Sequence, residues 1–176
     1  SAVNAYDKRI DEEQLALIAR RQPMAHDLRA IIAMSRAVSE LERAGDEAKK
    51  IAGTVLRHGG RPGPATTRDA RHLGRLAVSL LRLSLEAFDR LEHSLAAEVI
   101  ARDRELDAEY AAGLRRLLTR AMEDPRHFNV ALEAAFVLKA LERIGDHARN
   151  LARYVQTISH ETRESQGAAQ ASATQD

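Results

Sequence analysis

Three pairs of carboxylates stand four residues apart in this chain: Glu42 with Asp46, Asp103 with Asp107, and Glu142 with Asp146. On an α-helix that spacing puts both acids of a pair on one face, about 6 Å apart, where they repel unless something positive intervenes. Clustered carboxylate oxygens suit hard or borderline cations, so the six residues are candidate ligands for Mg²⁺, Mn²⁺, Fe or Zn²⁺. The plainer reading is a solvated acidic face paired with Arg43, Arg143 or Arg149. No Ser or Thr has a visible His/Asp arrangement, and no G-x-x-x-x-G-K phosphate loop is present. No glutamate has His at i+3, the motif that a ferritin-like di-iron enzyme needs. Neither catalysis nor a nucleotide site is expected.

Two of the pairs lie in a repeat. Leu41-Glu42-Arg43-Ala44-Gly45-Asp46-Glu47-Ala48 returns one hundred residues later as Leu141-Glu142-Arg143-Ile144-Gly145-Asp146-His147-Ala148, with six of eight positions identical. Each copy carries a mid-helix glycine, Gly45 and Gly145, costing about 1 kcal/mol relative to Ala, and close helix packing is the expected reason. His147 is expected to be a surface residue, since Glu47 holds its place in the other copy. In the second half, Asp107 lies ~27 Å before Pro125 and Glu142 ~26 Å after it, so the two face each other across an antiparallel helix pair. The same geometry in the first half pairs Glu42 with Asn4, both ~28 Å from Pro23, in preference to Asp7 and Asp11. The second site is thus expected to be the better formed.

These acids need helices to hold them, and the pattern supplies them. Val3, Tyr6, Ile10, Leu17 and Ile18 share a face over residues 1–20. After Gln22-Pro23, an apolar stripe from Ile31 to Val55 marks a long helix to about Arg57, making residues 1–57 an antiparallel hairpin. His58-Gly59-Gly60-Arg61-Pro62-Gly63-Pro64 breaks the chain and is read as a linker, residues 58–64. Three further helices, about 65–97, 99–122 and onward from Asp124-Pro125, form a second unit over 65–160. Residues 161–176 lack a periodic apolar pattern and are expected to be a disordered tail. The register leaves the first unit without a counterpart of its 65–97 helix, so the sequence is expected to lack about 40 N-terminal residues. The alternative is a five-helix protein that dimerises through an exposed groove.

Composition agrees with a soluble helical domain: 44% hydrophobic, 30% charged and only 3% aromatic residues. A net charge of +1 offers no field to draw the chain onto nucleic acid or an anionic membrane. With no cysteine, thiolate metal sites and disulfides are excluded. A cytoplasmic location is expected, since no apolar run approaches membrane-spanning length and no signal sequence is visible.

The doubled Leu-Glu-Arg-x-Gly-Asp motif, the block Arg21-Gln22-Pro23-Met24-Ala25-His26-Asp27-Leu28-Arg29 and Met122-Glu123-Asp124-Pro125 together resemble the PhoU family, over about residues 3–160. The resemblance implies an all-α fold of two pseudo-symmetric three-helix bundles, here with the first lacking its N-terminal helix. It also implies multinuclear metal clusters on E(D)-x-x-x-D motifs, hence on Glu42, Asp46, Asp103, Asp107, Glu142 and Asp146, and often a dimer. The function it implies is negative regulation of the phosphate-starvation response, linking the ATPase of a phosphate ABC transporter to a membrane sensor histidine kinase. An accessory role at another phosphate transporter, or a metal-free helical adaptor, are the alternatives. The family's usual Asn-Ile-Ala-Glu continuation is Lys50-Ile51-Ala52-Gly53 and Asn150-Leu151-Ala152-Arg153 here, departures that weaken the first site more than the second.

Overall fold

A computed structural model describes the backbone over residues 2–21, 25–58 and 64–173, and side chains at 5–6, 8–20, 27–56 and 66–158. The expected turn at Gln22-Pro23, the linker segment 59–63, and the side chains of Asn4, Asp7 and the tail lie outside the described residues. The described chain is all-helical. Its α-helices are α1 (Ala2–Arg21), α2 (Ala25–His58), α3 (Pro64–Arg90), α4 (His93–Glu123) and α5 (Phe128–Ala173), with a 3-10 turn at Pro125–His127.

Among the described residues α1 packs only on α2, whereas α3, α4 and α5 all pack on one another. α5 also packs on α2 and so joins the hairpin to the three-helix unit. The core sits in that unit: Leu73, Leu80, Val99, Leu106, Leu138 and Val155 are almost wholly buried. Each such side chain contributes roughly 1.5–3 kcal/mol of apolar burial. Between them lie small residues, Ala77, Ala87, Ala96, Ala148 and Ala152, each fully buried. They let the helices approach to about 8–10 Å without the bulk that would push them apart. α1 buries little by contrast, with Tyr6, Leu15 and Leu17 all exposed.

Helix ends explain where expectation and structure part. The helix expected at 65–97 stops at Arg90, and the next begins at His93 instead of Val99. Leu91 takes a left-handed backbone, φ 50°. The Glu92 N–H then donates to the Ala87 carbonyl at 2.9 Å and the Leu91 N–H to Phe88 at 3.3 Å. That is the Schellman closure of a helix, usually made by glycine. With leucine there, the apolar stripe runs on through Leu91 to Leu95 and conceals the break. Asp124 does what its type suggests: it ends α4 with its N–H on the Arg120 carbonyl and caps the next turn, its carboxylate accepting from the Arg126 N–H at 3.0 Å. α5 continues to Ala173, through residues expected to be disordered. The Ala, Gln, Glu and Arg of that stretch favour helix in themselves, without an apolar stripe.

Candidate functional site

The packing of α4 on α5 links Asp103 and Asp146 through Arg149 and leaves Asp107 within their field, whereas Glu142, expected to face Asp107 across the pair, turns to Lys139. Gly145 makes the approach possible: a Cβ there would meet the Leu106 Cδ2 at 2.4 Å. Leu106 is itself buried, so a side chain at 145 would force it to repack within the core. The acids do not meet as bare carboxylates. The Arg149 guanidinium lies between them, Nη1 donating to Asp103 Oδ2 at 2.5 Å and Nη2 lying 2.6 Å from Asp146 Oδ1. Asp103 is only 3% exposed, and its other oxygen, Oδ1, is buried with no hydrogen-bond partner. Arg149 Nε is buried and unpartnered in the same way.

Charge at this cluster is incompletely balanced. Burial, then the charges of Asp103 and Asp146, push the Asp107 carboxyl above its ordinary value, against the pull of Arg149 and Lys139. Burial works to lower the Arg149 pKa, but the hydrogen bond and charge of Asp103, with Asp146 and Asp107, more than offset it and raise the value. Glu142, the remaining acid expected here, is turned away to Lys139, whose Nζ lies 2.6 Å from Oε2. That hydrogen-bonded partner is the main reason the Lys139 pKa is raised.

Among the described residues the first copy of the motif forms no such cluster. Asp46 is exposed and Glu42 half-buried. The buried acids of α2 are instead Glu40 and Glu47, at 5% and 4% exposure, facing α5. Glu40 is held by His147, 2.6 Å from Nδ1, with Asn150 and Tyr154 at 3.3 and 3.5 Å. Burial, then the Glu40 charge, raises the Tyr154 pKa. His147 is therefore an interior residue and not the surface one expected, and it serves Glu40. Glu47 pairs with Lys50 at 2.8 Å and Arg143 at 3.3 Å. The sequence held a signal for both acids: Ala33, Ala37, Glu40, Ala44, Glu47 and Ile51 follow each other at helical spacing, so Glu40 and Glu47 occupy apolar-stripe positions.

These contacts run antiparallel along the α2–α5 seam, and its two ends differ. Where one end is filled by Glu40 and Tyr154, the corresponding positions at the other are Ala140 and Thr54. An open groove of about 750 Å³ remains there, between Glu47, Lys50 and Thr54 on α2 and Phe136, Ala140 and Arg143 on α5.

Known proteins share this fold. A family model described as "PhoU domain" matches residues 1–55 and 70–155, one match to each half. The chain belongs to the PhoU family. It is 43% identical over 156 residues to a "Phosphate-specific transport system accessory protein PhoU homolog" of Pseudomonas aeruginosa, covering 87% of this chain and 64% of that one. The Escherichia coli "Phosphate-specific transport system accessory protein PhoU" is 36% identical over 153 residues, with 87% and 64% covered. This PhoU-family chain thus spans less than two thirds of the length of these relatives. Among solved structures, PhoU from Pseudomonas aeruginosa matches with a TM-score of 0.86 at 41% identity, over 91% of this chain and 77% of that one. The PhoU of Streptococcus pneumoniae, described as a phosphate transport system regulatory protein, matches with a TM-score of 0.71 at 25% identity, over 90% and 77%.

A PhoU-type metal centre can be tested against these residues. In kind they fit: the donors are all carboxylate oxygens, and one of them, Asp103 Oδ1, is buried and unpartnered. In arrangement they are closed. Among the described residues no group of three or more acids or histidines stands ready to hold a metal. Arg149 occupies the space between Asp103 and Asp146.

Proposed function

We propose that this chain acts as a negative regulator of phosphate uptake and of phosphate-starvation signalling, linking a phosphate ABC transporter ATPase to a sensor histidine kinase at the cytoplasmic face of the membrane. The observation that carries the reading is the family match across both halves, to relatives named as accessory proteins of the phosphate-specific transport system. No helix among the described residues is long and apolar enough to cross a membrane, which suits a role exercised through membrane-bound partners. No group among the candidate residues is arranged as a nucleophile with its base, which suits a scaffold over an enzyme. The two halves then form a rigid helical platform, α2 and α5 its spine, possessing an acidic site on α4 and α5. Divalent or trivalent cations held by Asp103, Asp107 and Asp146 would supply charge neutralisation and a bridge to partner or membrane groups. Domain limits of 1–57 and 65–160, and assembly as a homodimer, belong to the same reading.

Expression of the whole gene product in a bacterium deleted for its own PhoU tests the regulatory claim, with a phosphate-starvation reporter measured in phosphate-replete medium. Repression is expected. A reporter that stays fully induced while the protein is folded and abundant would sink the proposal. A second reading, a metal-free helical adaptor, is favoured by one observation, the Arg149 guanidinium already neutralising Asp103 and Asp146. Undiminished repression by a Glu142→Ala/Asp146→Ala variant that no longer binds metal would select it.

A further inference from the structure

The outward face of α3 carries a row of arginines. Arg68, Arg71, Arg75 and Arg82 are all exposed, and helical geometry places them within about 60° of one another around the axis, along about 21 Å of the helix. Among the described residues none of the four reaches an acid. Acids close to them on the same helix are already taken, Asp69 by Arg116 and Glu86 by Arg90, each at 3.0 Å. Arg71 and Arg75 are like charges one turn apart, a spacing that destabilises a helix unless a counter-charge lies nearby. Val78 and Leu85 are exposed along one edge of the row. A net charge of +1 for the whole chain conceals this local surplus.

We propose that this face of α3 docks directly on an anionic lipid bilayer, its arginines pairing with phosphate-bearing headgroups while Val78 and Leu85 settle at the headgroup boundary. The inference rests on the membrane location in the reading above and adds a lipid contact of the chain's own. Charge complementarity favours lipid over a protein: a leaflet of like headgroups matches a row of one sign at every position, whereas a protein would need acids at four set places. Shape favours it too. The row is a convex helical ridge without an aromatic residue, and protein partners are gripped mainly by side chains seated in pockets. Long arginine stems carry their charge past neighbouring apolar surface, so cation and aliphatic side chains reach the boundary together. Attraction to an anionic leaflet fades within a Debye length of about 8–10 Å, so arginines on one ridge act together and those on other faces contribute little. Among the described residues α3 packs on α4 and α5 and not on the hairpin, so docking through its outward face uses none of the α2–α5 seam.

The test is co-sedimentation of the full-length protein with vesicles of phosphatidylcholine alone and of an equal mixture of phosphatidylcholine and phosphatidylglycerol, in low and high salt. The parent is expected to bind the mixed vesicles, to release them as salt rises, and to ignore the neutral ones. Arg75→Gln/Arg82→Gln should weaken binding about tenfold or more, the scale of two basic residues at an anionic surface. Arg104→Gln/Arg153→Gln removes the same charge from exposed positions on α4 and α5 and should change it by about twofold or less. Arg75→Lys/Arg82→Lys should bind about as the parent does, since headgroup attraction follows charge and not the guanidinium fork. Circular dichroism checks helicity in each. A parent that binds neither vesicle, or both equally, would overturn the proposal, and the first of these results would leave the row to an acidic protein partner. Weakening matched by the Arg104/Arg153 pair would overturn it by reducing the effect to general charge. Loss in the lysine pair as large as in the glutamine pair would overturn it in favour of a site that needs the fork. The phosphate-starvation reporter reads separately: vesicle binding without repression supports the lipid contact while sinking the regulatory role, and repression without vesicle binding does the reverse.

Discussion

At Gly145 an added methyl group would strike Leu106 at 2.4 Å, while at Gly45, the same place in the other copy of the motif, no described atom lies within 4 Å. The residue is the same, and its physical meaning is opposite. In the second half the glycine lets α4 and α5 close, and that closure assembles Asp103 and Asp146 around Arg149. In the first half, Asp46 faces solvent and the buried acids are turned toward α5. A repeated motif therefore guarantees a repeated backbone, and a repeated site only where its neighbours are repeated too.

Core truncation should give the largest contrast between the halves. Leu138 and Val38 hold corresponding positions one turn before the acidic pair, yet Leu138 is 2% exposed and Val38 only partly buried. Leu138→Ala is expected to cost about 2–5 kcal/mol, by transfer and cavity terms together. Val38→Ala should cost about 1 kcal/mol or less, since fewer methyl groups leave a site that is partly wet already. Urea unfolding measures both. Equal losses would mean that the hairpin is packed as tightly as the three-helix unit, and the comparison would fail.

Glycine replacement sharpens the same contrast, because the signs differ. Gly145→Ala forces a methyl group onto buried Leu106 and should destabilise by about 1–3 kcal/mol, an overpacking cost that exceeds the helix-propensity gain. Gly45→Ala meets nothing and should stabilise by about 0.5–1 kcal/mol, the propensity gain alone. Circular-dichroism melts resolve the two. A Gly45→Ala variant less stable than the parent would show that the first motif is also closely covered.

The helices are largely legible from periodicity because each must bury one stripe, and the antiparallel pairing of α4 with α5 follows from the position of Pro125, but rise per residue sets Asp107 against Glu142 where the structure sets Leu106 against Gly145. Three features were hidden. The α3–α4 break is closed by Leu91, whose left-handed backbone carries no glycine to announce it. Glu40 and Glu47 interrupt an alanine stripe, yet the repeated motif marks Glu42 and Asp46 and not these two acids. The partner that buries them, α5, is reached only through tertiary packing. Arg149 was visible as a neighbour of the acids, but spacing along one helix cannot tell a solvated arginine from one that reaches across to Asp103 on another.

The smallest expected effect concerns the residues that precede two prolines, one in each half of the sequence, Gln22 before Pro23 and Asp124 before Pro125. The Arg126 side chain, then its backbone N–H, hold the Asp124 carboxyl below its ordinary value of 3.8. A depressed carboxyl binds fewer protons folded than unfolded, so its contribution is fully present above the unfolded value and fades as pH falls through the folded one. Asp124→Asn keeps a capping oxygen but removes the charge. It should therefore melt slightly below the parent at neutral pH, and the gap should close on acidification below the ordinary carboxylate value. Gln22 has no charge to titrate, so Gln22→Ala should shift the melting temperature by the same amount at both pH values. If the Asp124→Asn gap persists unchanged in acid, the carboxylate acts between α4 and α5 through its shape and hydrogen bonding, and charge does not distinguish the two positions.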